Sequence, residues 1–144
     1  MRIAVLALAG ATTAASAPAS ANDVTITVTD LRNHKGVVRA CMTMRADVFP
    51  KCIKDPGSHR SVVPADGTVK ITFKGVKPGD YAIALLHDEN EDGKANRALG
   101  MMPKEGYGFS RDAPVHMAPP KFEDAVFRHG KDAQAFTIKM RYFL

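Results

Sequence analysis

The chain has 144 residues, with 20 Lys and Arg against 15 Asp and Glu and a formal charge of +5. That length fits one domain with a single sizeable core. The basic residues are scattered, with no basic run interleaved with aromatics, so a nucleic-acid partner is not expected; the charge reads as solubility with a weak pull towards anionic surfaces. Met1 and Arg2 open the chain, Ile3–Ala15 is apolar and small, and Ala19-Ser20-Ala21 offers small residues where a signal peptidase reads. That three-part pattern predicts a secretory leader over 1–21 and a domain over 22–144, in a periplasmic or secreted protein. Cleavage after Ala17 would place Pro18 behind the cut, which disfavours it. A retained anchor needs roughly 20 apolar residues, and no later segment approaches that, so no transmembrane segment is expected after cleavage.

Period-two alternation dominates the rest. DVTITVTDL sets Val24, Ile26 and Val28 opposite Thr25, Thr27 and Thr29, a half-buried strand. After the turn RNHKG, GVVRACMTM places Val38, Ala40, Met42 and Met44 on one face, and the two strands are expected to form an antiparallel hairpin. The methionine spacing suits copper thioether ligation, but it is also what a core face gives, and the core reading is preferred. Asp47–His59 is irregular, SVV is a short strand, and TVKITFKGV alternates again. KPGD suits a type II turn with Gly79 at positive φ. YAIALLH is apolar on both faces, which marks a central strand covered on both sides. Residues 88–121 form one long irregular region, unusual in a compact domain unless functional or clamped. FEDAVFRHG reads equally as a strand or a helical turn, and DAQAFTIKMRYFL as a closing strand. Together these predict an all-β protein, a single antiparallel β-sandwich of the immunoglobulin-like or transthyretin-like kind.

Cys41 and Cys52 form an even pair in an exported chain, which favours a disulfide. Their spacing fits neither a C-x-x-C redox motif nor a four-ligand zinc set. Asp88-x-Asn90-x-Asp92-Gly93 matches the first half of a calcium loop, D-x-[DN]-x-[DN]-G. Oxygens from Asp88, Asn90 and Asp92, the Lys94 carbonyl and Asn96 would then surround a calcium ion. Leu99 stands where the bidentate glutamate belongs, so this is no EF-hand, and a distant carboxylate such as Glu105, Glu123 or Asp124 would have to complete the set. The alternative is a hairpin turn whose side chains cap backbone amides. His87, beside Asp88, and Glu105 are candidate acid–base groups. Among the other histidines there is no zinc spacing, and no nucleophile motif appears. In PKEGYGFS, two glycines flank Tyr107 and let the backbone bend to present the ring, with Phe109 following. The two rings would either stack on a ligand or plug one end of the sandwich.

ALLHDENEDGKANRALGMMPKEGYGFSRDA, followed by APPKFEDAVF, resembles a family of exported bacterial proteins catalogued as domain of unknown function 2141. The shared pattern is H-D-x-N-x-x-G-K at a strand end, then L-G-x-P-x-E-G-Y-G-F-S, then P-x-F-E-D-A. The resemblance carries His87, Asp88, Asn90, Gly93, Lys94, Gly100, Pro103, Glu105, Gly106, Tyr107, Gly108, Phe109, Phe122, Glu123 and Asp124. GMMPKEG has one residue more than the family's usual G-x-P, and the cysteine pair is not carried over from the resemblance but rests on the local argument alone. The resemblance implies an exported single-domain β-sandwich and no activity. The leading expectation is therefore a monomeric, non-enzymatic module with an unknown protein, peptide or glycan ligand and a calcium-holding acidic loop. A hydrolase using His87, Asp88 and Glu105 is one alternative. A glycan- or peptide-binding module on Tyr107 and Phe109, with Glu105, Glu123 and Asp124 nearby, is the other.

Overall fold

In a computed structural model, residues 21–94 and 104–143 are described, together with Gly10. All of the expected leader except Gly10 and Ala21 lies outside the described residues, as do Asn96, Leu99, Gly100 and Pro103. The strands are β1 (Val24–Thr29), β2 (Val37–Thr43), β3 (His59–Pro64), β4 (Val69–Phe73), β5 (Gly79–Asp88), β6 (Gly106–Phe109), β7 (Phe127–His129) and β8 (Gln134–Lys139). One helical turn, α1, covers Phe122–Ala125. FEDAVFRHG is thus both things the sequence left open, a helical turn and then a strand.

A three-stranded sheet in the order β4-β1-β8 faces a five-stranded sheet in the order β3-β2-β5-β6, with β7 also on β5. The pairings are antiparallel except β1 with β8. Alternation does what it should: Val24, Ile26, Ile71 and Ile138 of one sheet pack against Val38, Met42, Ile83 and Leu85 of the other. No described helix is long and apolar enough to cross a membrane.

Three expectations need correction. β1 and β2 do not form a hairpin; the link Asp30–Gly36 crosses between sheets, and β1 pairs with β4 and β8 instead. Alternation shows which face is buried but not which strand lies alongside. Met44 lies beyond the end of β2 and is exposed, whereas Met42 is fully buried. The glycine at positive φ before β5 is Gly75, while Gly79 already belongs to the strand.

β5 is the predicted doubly covered strand. Tyr81, Ile83, Leu85 and His87 face the main core, and Ala82 packs on its other side with Phe109, Ala113 and Ala125. Buried Ser110 accepts the Ile83 N–H at 2.9 Å and donates to the Ala125 carbonyl, tying the segment after β6 to β5. The Cys41–Cys52 disulfide closes, with a Cα separation of 6.0 Å, and fastens the irregular loop before β3 to β2.

Candidate functional site

The acidic stretch begins on the last residues of β5, and the EGYGF segment returns beside it. His87 is the register partner of Gly106, and Leu86 of Tyr107. Glu105 Oε2 accepts the Glu89 N–H at 3.0 Å. The two motifs, separated by a long connection, therefore meet in space. Gly106 and Gly108 do not bend the chain to present a ring; neither takes a positive φ. They make room: a Cβ on Gly106 would lie 2.4 Å from the Tyr142 ring, and one on Gly108 would lie 2.9 Å from Ile138.

His87 and Asp88 point to opposite faces, as neighbours on a strand must. His87 is fully buried. Its Nε2 lies 2.7 Å from the Lys35 carbonyl and its Nδ1 2.7 Å from the Tyr142 hydroxyl. A carbonyl only accepts, so Nε2 carries the proton there. The Tyr142 oxygen also accepts the Arg32 N–H at 3.3 Å, so the hydroxyl joins His87 Nδ1 to the link between the sheets. Burial pushes the Tyr142 phenol above its ordinary value, helped by the charge of Glu89 and opposed by the hydrogen bond from the Arg32 amide and the Arg32 charge. Both ring nitrogens of His87 are thus engaged in holding the turn before β2 and the C-terminal segment against β5.

Asp88 is likewise fully buried. Its Oδ2 accepts from Arg39 Nε at 2.7 Å and from the Gly93 amide at 2.8 Å, and its Oδ1 accepts from the Asp92 amide at 3.2 Å. The loop curls back on this carboxylate because Glu91 and Gly93 adopt left-handed φ of 56° and 74°. Asp92 Oδ1 accepts the Lys94 amide at 2.8 Å, and Asn90 Nδ2 donates to Asp92 Oδ2 at 3.2 Å. So the amide-capping turn is formed. At the same time, carboxylate oxygens of Asp88, Asp92 and Glu105 lie within 4.8 Å of one another, with Asp88 and Glu105 buried. Of the three distant carboxylates named from sequence, Glu105 joins the cluster. Glu123 and Asp124 sit exposed on α1, where Asp124 caps the Lys121 amide.

A second network surrounds Glu89 beside the loop. Glu89 pairs with Arg32 and accepts from Asn33 Nδ2 at 2.8 Å, while the Arg32 guanidinium lies 4.6 Å from the Tyr142 ring centre. Burial alone would raise the Glu89 carboxyl, but the hydrogen bonds from Asn33 and Arg32 and the Arg32 charge prevail and hold it below the usual glutamate value. Gly36, at φ 66°, packs on this corner; a Cβ there would meet the Asp88 carbonyl at 2.1 Å. Nothing local in the sequence marks Arg32, Asn33, Arg39 or Tyr142 as partners of the loop, because each arrives through strand register or from a sheet crossing.

Tyr107 and Phe109, on the outer side of the five-stranded sheet, stack with centroids 6.3 Å apart. Phe109 is buried, edge-on to Phe49. Tyr107 and Phe109 border a groove of about 470 Å³ that runs over β2 and β5 and reaches Gly93 of the acidic loop.

The profile of a bacterial family described as an uncharacterized protein conserved in bacteria (DUF2141) matches residues 26–137. No curated protein and no solved structure shows significant similarity to the chain.

Proposed function

From the premise that the chain belongs to this family of uncharacterized bacterial proteins, we propose that it is an exported, non-enzymatic β-sandwich module whose acidic loop holds calcium as a structural clamp. Export is supported by the leader pattern and by the disulfide, a bond that persists in oxidising compartments. The observation that carries the metal reading is the convergence of Asp88 and Asp92 with Glu105, a carboxylate brought back from a distant part of the chain. Like charges gathered at partly buried positions disfavour one another, and a bound dication reverses that sign. Calcium is the hard cation such oxygens suit, with Asn90 and the Lys94 carbonyl as further donors in reach of the loop. Titration calorimetry of residues 22–144 with calcium tests this: binding heat with Kd near 10⁻⁴–10⁻³ M is expected for an extracellular clamp, and the absence of heat refutes it.

The hydrolase alternative draws no support from this arrangement. His87 spends both nitrogens on structural hydrogen bonds inside the protein, and Asp88 is turned to the other face. The second reading that a specific observation favours is a binding face, because Tyr107 borders the outer groove. Loss of ligand capture in Tyr107→Ala, with the fold retained, is its expected signature.

A further inference from the structure

The groove beside Tyr107 has a one-sided chemistry. Its floor and walls are aliphatic or aromatic: Ala84 and Leu86 on the outer face of β5, with Phe109, Pro50 and the Cys41–Cys52 bridge around them. Ile53 and Val62, which are 78% and 53% exposed, lie on its rim. Two of the four large hydrophobic side chains conspicuously exposed among the described residues are therefore gathered at one feature. Its charged lining is exclusively cationic, with Arg39, Lys51 and Arg60 and no carboxylate among the described lining residues. Arg39 is committed to Asp88 and Arg60 Nε donates to Ser58 Oγ at 3.2 Å, which leaves the Lys51 ammonium and the terminal nitrogens of Arg60 for the apolar trough.

We infer that this groove binds an amphiphile with an alkyl body and an anionic head, a long-chain carboxylate, the chain lying over Leu86 and Ala84 and the head meeting Arg60 and Lys51. Charge complementarity calls for an anionic head, and apolar contact area for an alkyl body. The volume lies within the roughly 300–1,000 Å³ of small-ligand sites. A sugar would find too few polar partners here: Ser61 and the Tyr107 hydroxyl are the uncharged polar side chains of the lining. A peptide strand would find no free backbone edge on the floor, since β2 and β5 are paired on both sides. The inference rests on the binding-face reading above.

The test is displacement of the fluorescent anion anilinonaphthalene sulfonate from the whole protein by straight-chain carboxylates of about eight to fourteen carbons, below their micelle concentrations. Affinity is expected to rise about fourfold per added methylene, the equivalent of about 0.8 kcal/mol each. The alcohol of equal length should bind more weakly, and the alkyl trimethylammonium weakest. Arg60→Ala with Lys51→Ala should remove the preference for carboxylate over alcohol. Val62→Glu and Ile53→Glu should each abolish binding; both sites are exposed, so at least one variant should keep its melting temperature. Dye that binds, is lost in the rim variants and yet is not displaced by carboxylates overturns the ligand class while the binding face stands. Dye that does not bind, or is unaffected by both rim variants, overturns the two together.

Discussion

Replacing Asp88 by Asn, measured in chelator so that no metal contributes, isolates what the carboxylate does for the protein itself. Asp88 receives three donors: Arg39 Nε and the Gly93 amide at one oxygen, and the Asp92 amide at the other. An Asn side chain has one acceptor oxygen and one NH₂. Its best orientation keeps the oxygen towards Arg39 and Gly93 and turns the NH₂ towards the Asp92 N–H, donor against donor. One amide bond to a charged acceptor is lost, a second weakens, and a buried N–H faces no acceptor, together about 2–3 kcal/mol. Arg39 is one-third exposed, so losing its charge partner adds at most about 1 kcal/mol. At ~2.1 cal/mol/K per residue over about 120 residues, each kcal/mol moves Tm by about 4 °C, so the summed loss of about 2–4 kcal/mol should lower the melting temperature of Asp88→Asn by about 8–16 °C. A thermal scan followed by far-ultraviolet circular dichroism reads this directly. A fall of less than about 2 °C would refute the claim that Asp88 organises the loop. An Arg39→Met companion in a double-mutant cycle should show coupling well below the amide contribution.

Gly106→Ala and Gly108→Ala insert a methyl group into the Tyr142 ring and the Ile138–Met140 contact, and each should cost about 1–3 kcal/mol by urea unfolding. Replacing Cys41 and Cys52 together by Ser opens a loop of separation 11 and should cost about 3 kcal/mol in the same assay, an effect that reductant reproduces in the wild type. Burial lowers the pKa of His59, which packs between Phe73 and Tyr81. The folded state thus keeps this ring neutral while the unfolded chain takes up a proton as pH falls through about 6.5, so its share of stability is present above that pH and declines below it. Melting curves between pH 7.5 and 5.5 should show a smaller decline in His59→Phe than in the wild type.

How far the sequence reaches depends on which physical signal each feature leaves in it. Strand faces leave a period of two, so Val24, Ile26, Val38 and Met42 are readable as core, and the doubly apolar YAIALLH as the central strand. Partner choice leaves no such trace: β1 pairs with β4 and β8 through contacts far apart in the chain. The acidic loop was legible as a unit because its caps are local, Asp88 to the Gly93 amide and Asp92 to the Lys94 amide. Glu105 could be named only as one of three distant carboxylates, since the register of β6 on β5 decides which of them returns. Arg39 and Tyr142 were invisible for the same reason. For the glycines of EGYGF the sequence marks the missing side chain, and only the packed Tyr142 ring shows why it is missing.

The most direct measurement is the melting temperature of residues 22–144 with chelator and with about 10 mM calcium, in the wild type and in Glu105→Gln. With Kd near 10⁻⁴–10⁻³ M, binding to the folded state alone contributes about 1.4–2.7 kcal/mol, a rise of about 6–11 °C. That rise is expected in the wild type and its loss in Glu105→Gln, which keeps an acceptor for the Glu89 amide but removes the third converging charge. A wild-type Tm that calcium leaves unchanged, or a rise that survives in Glu105→Gln, would contradict it.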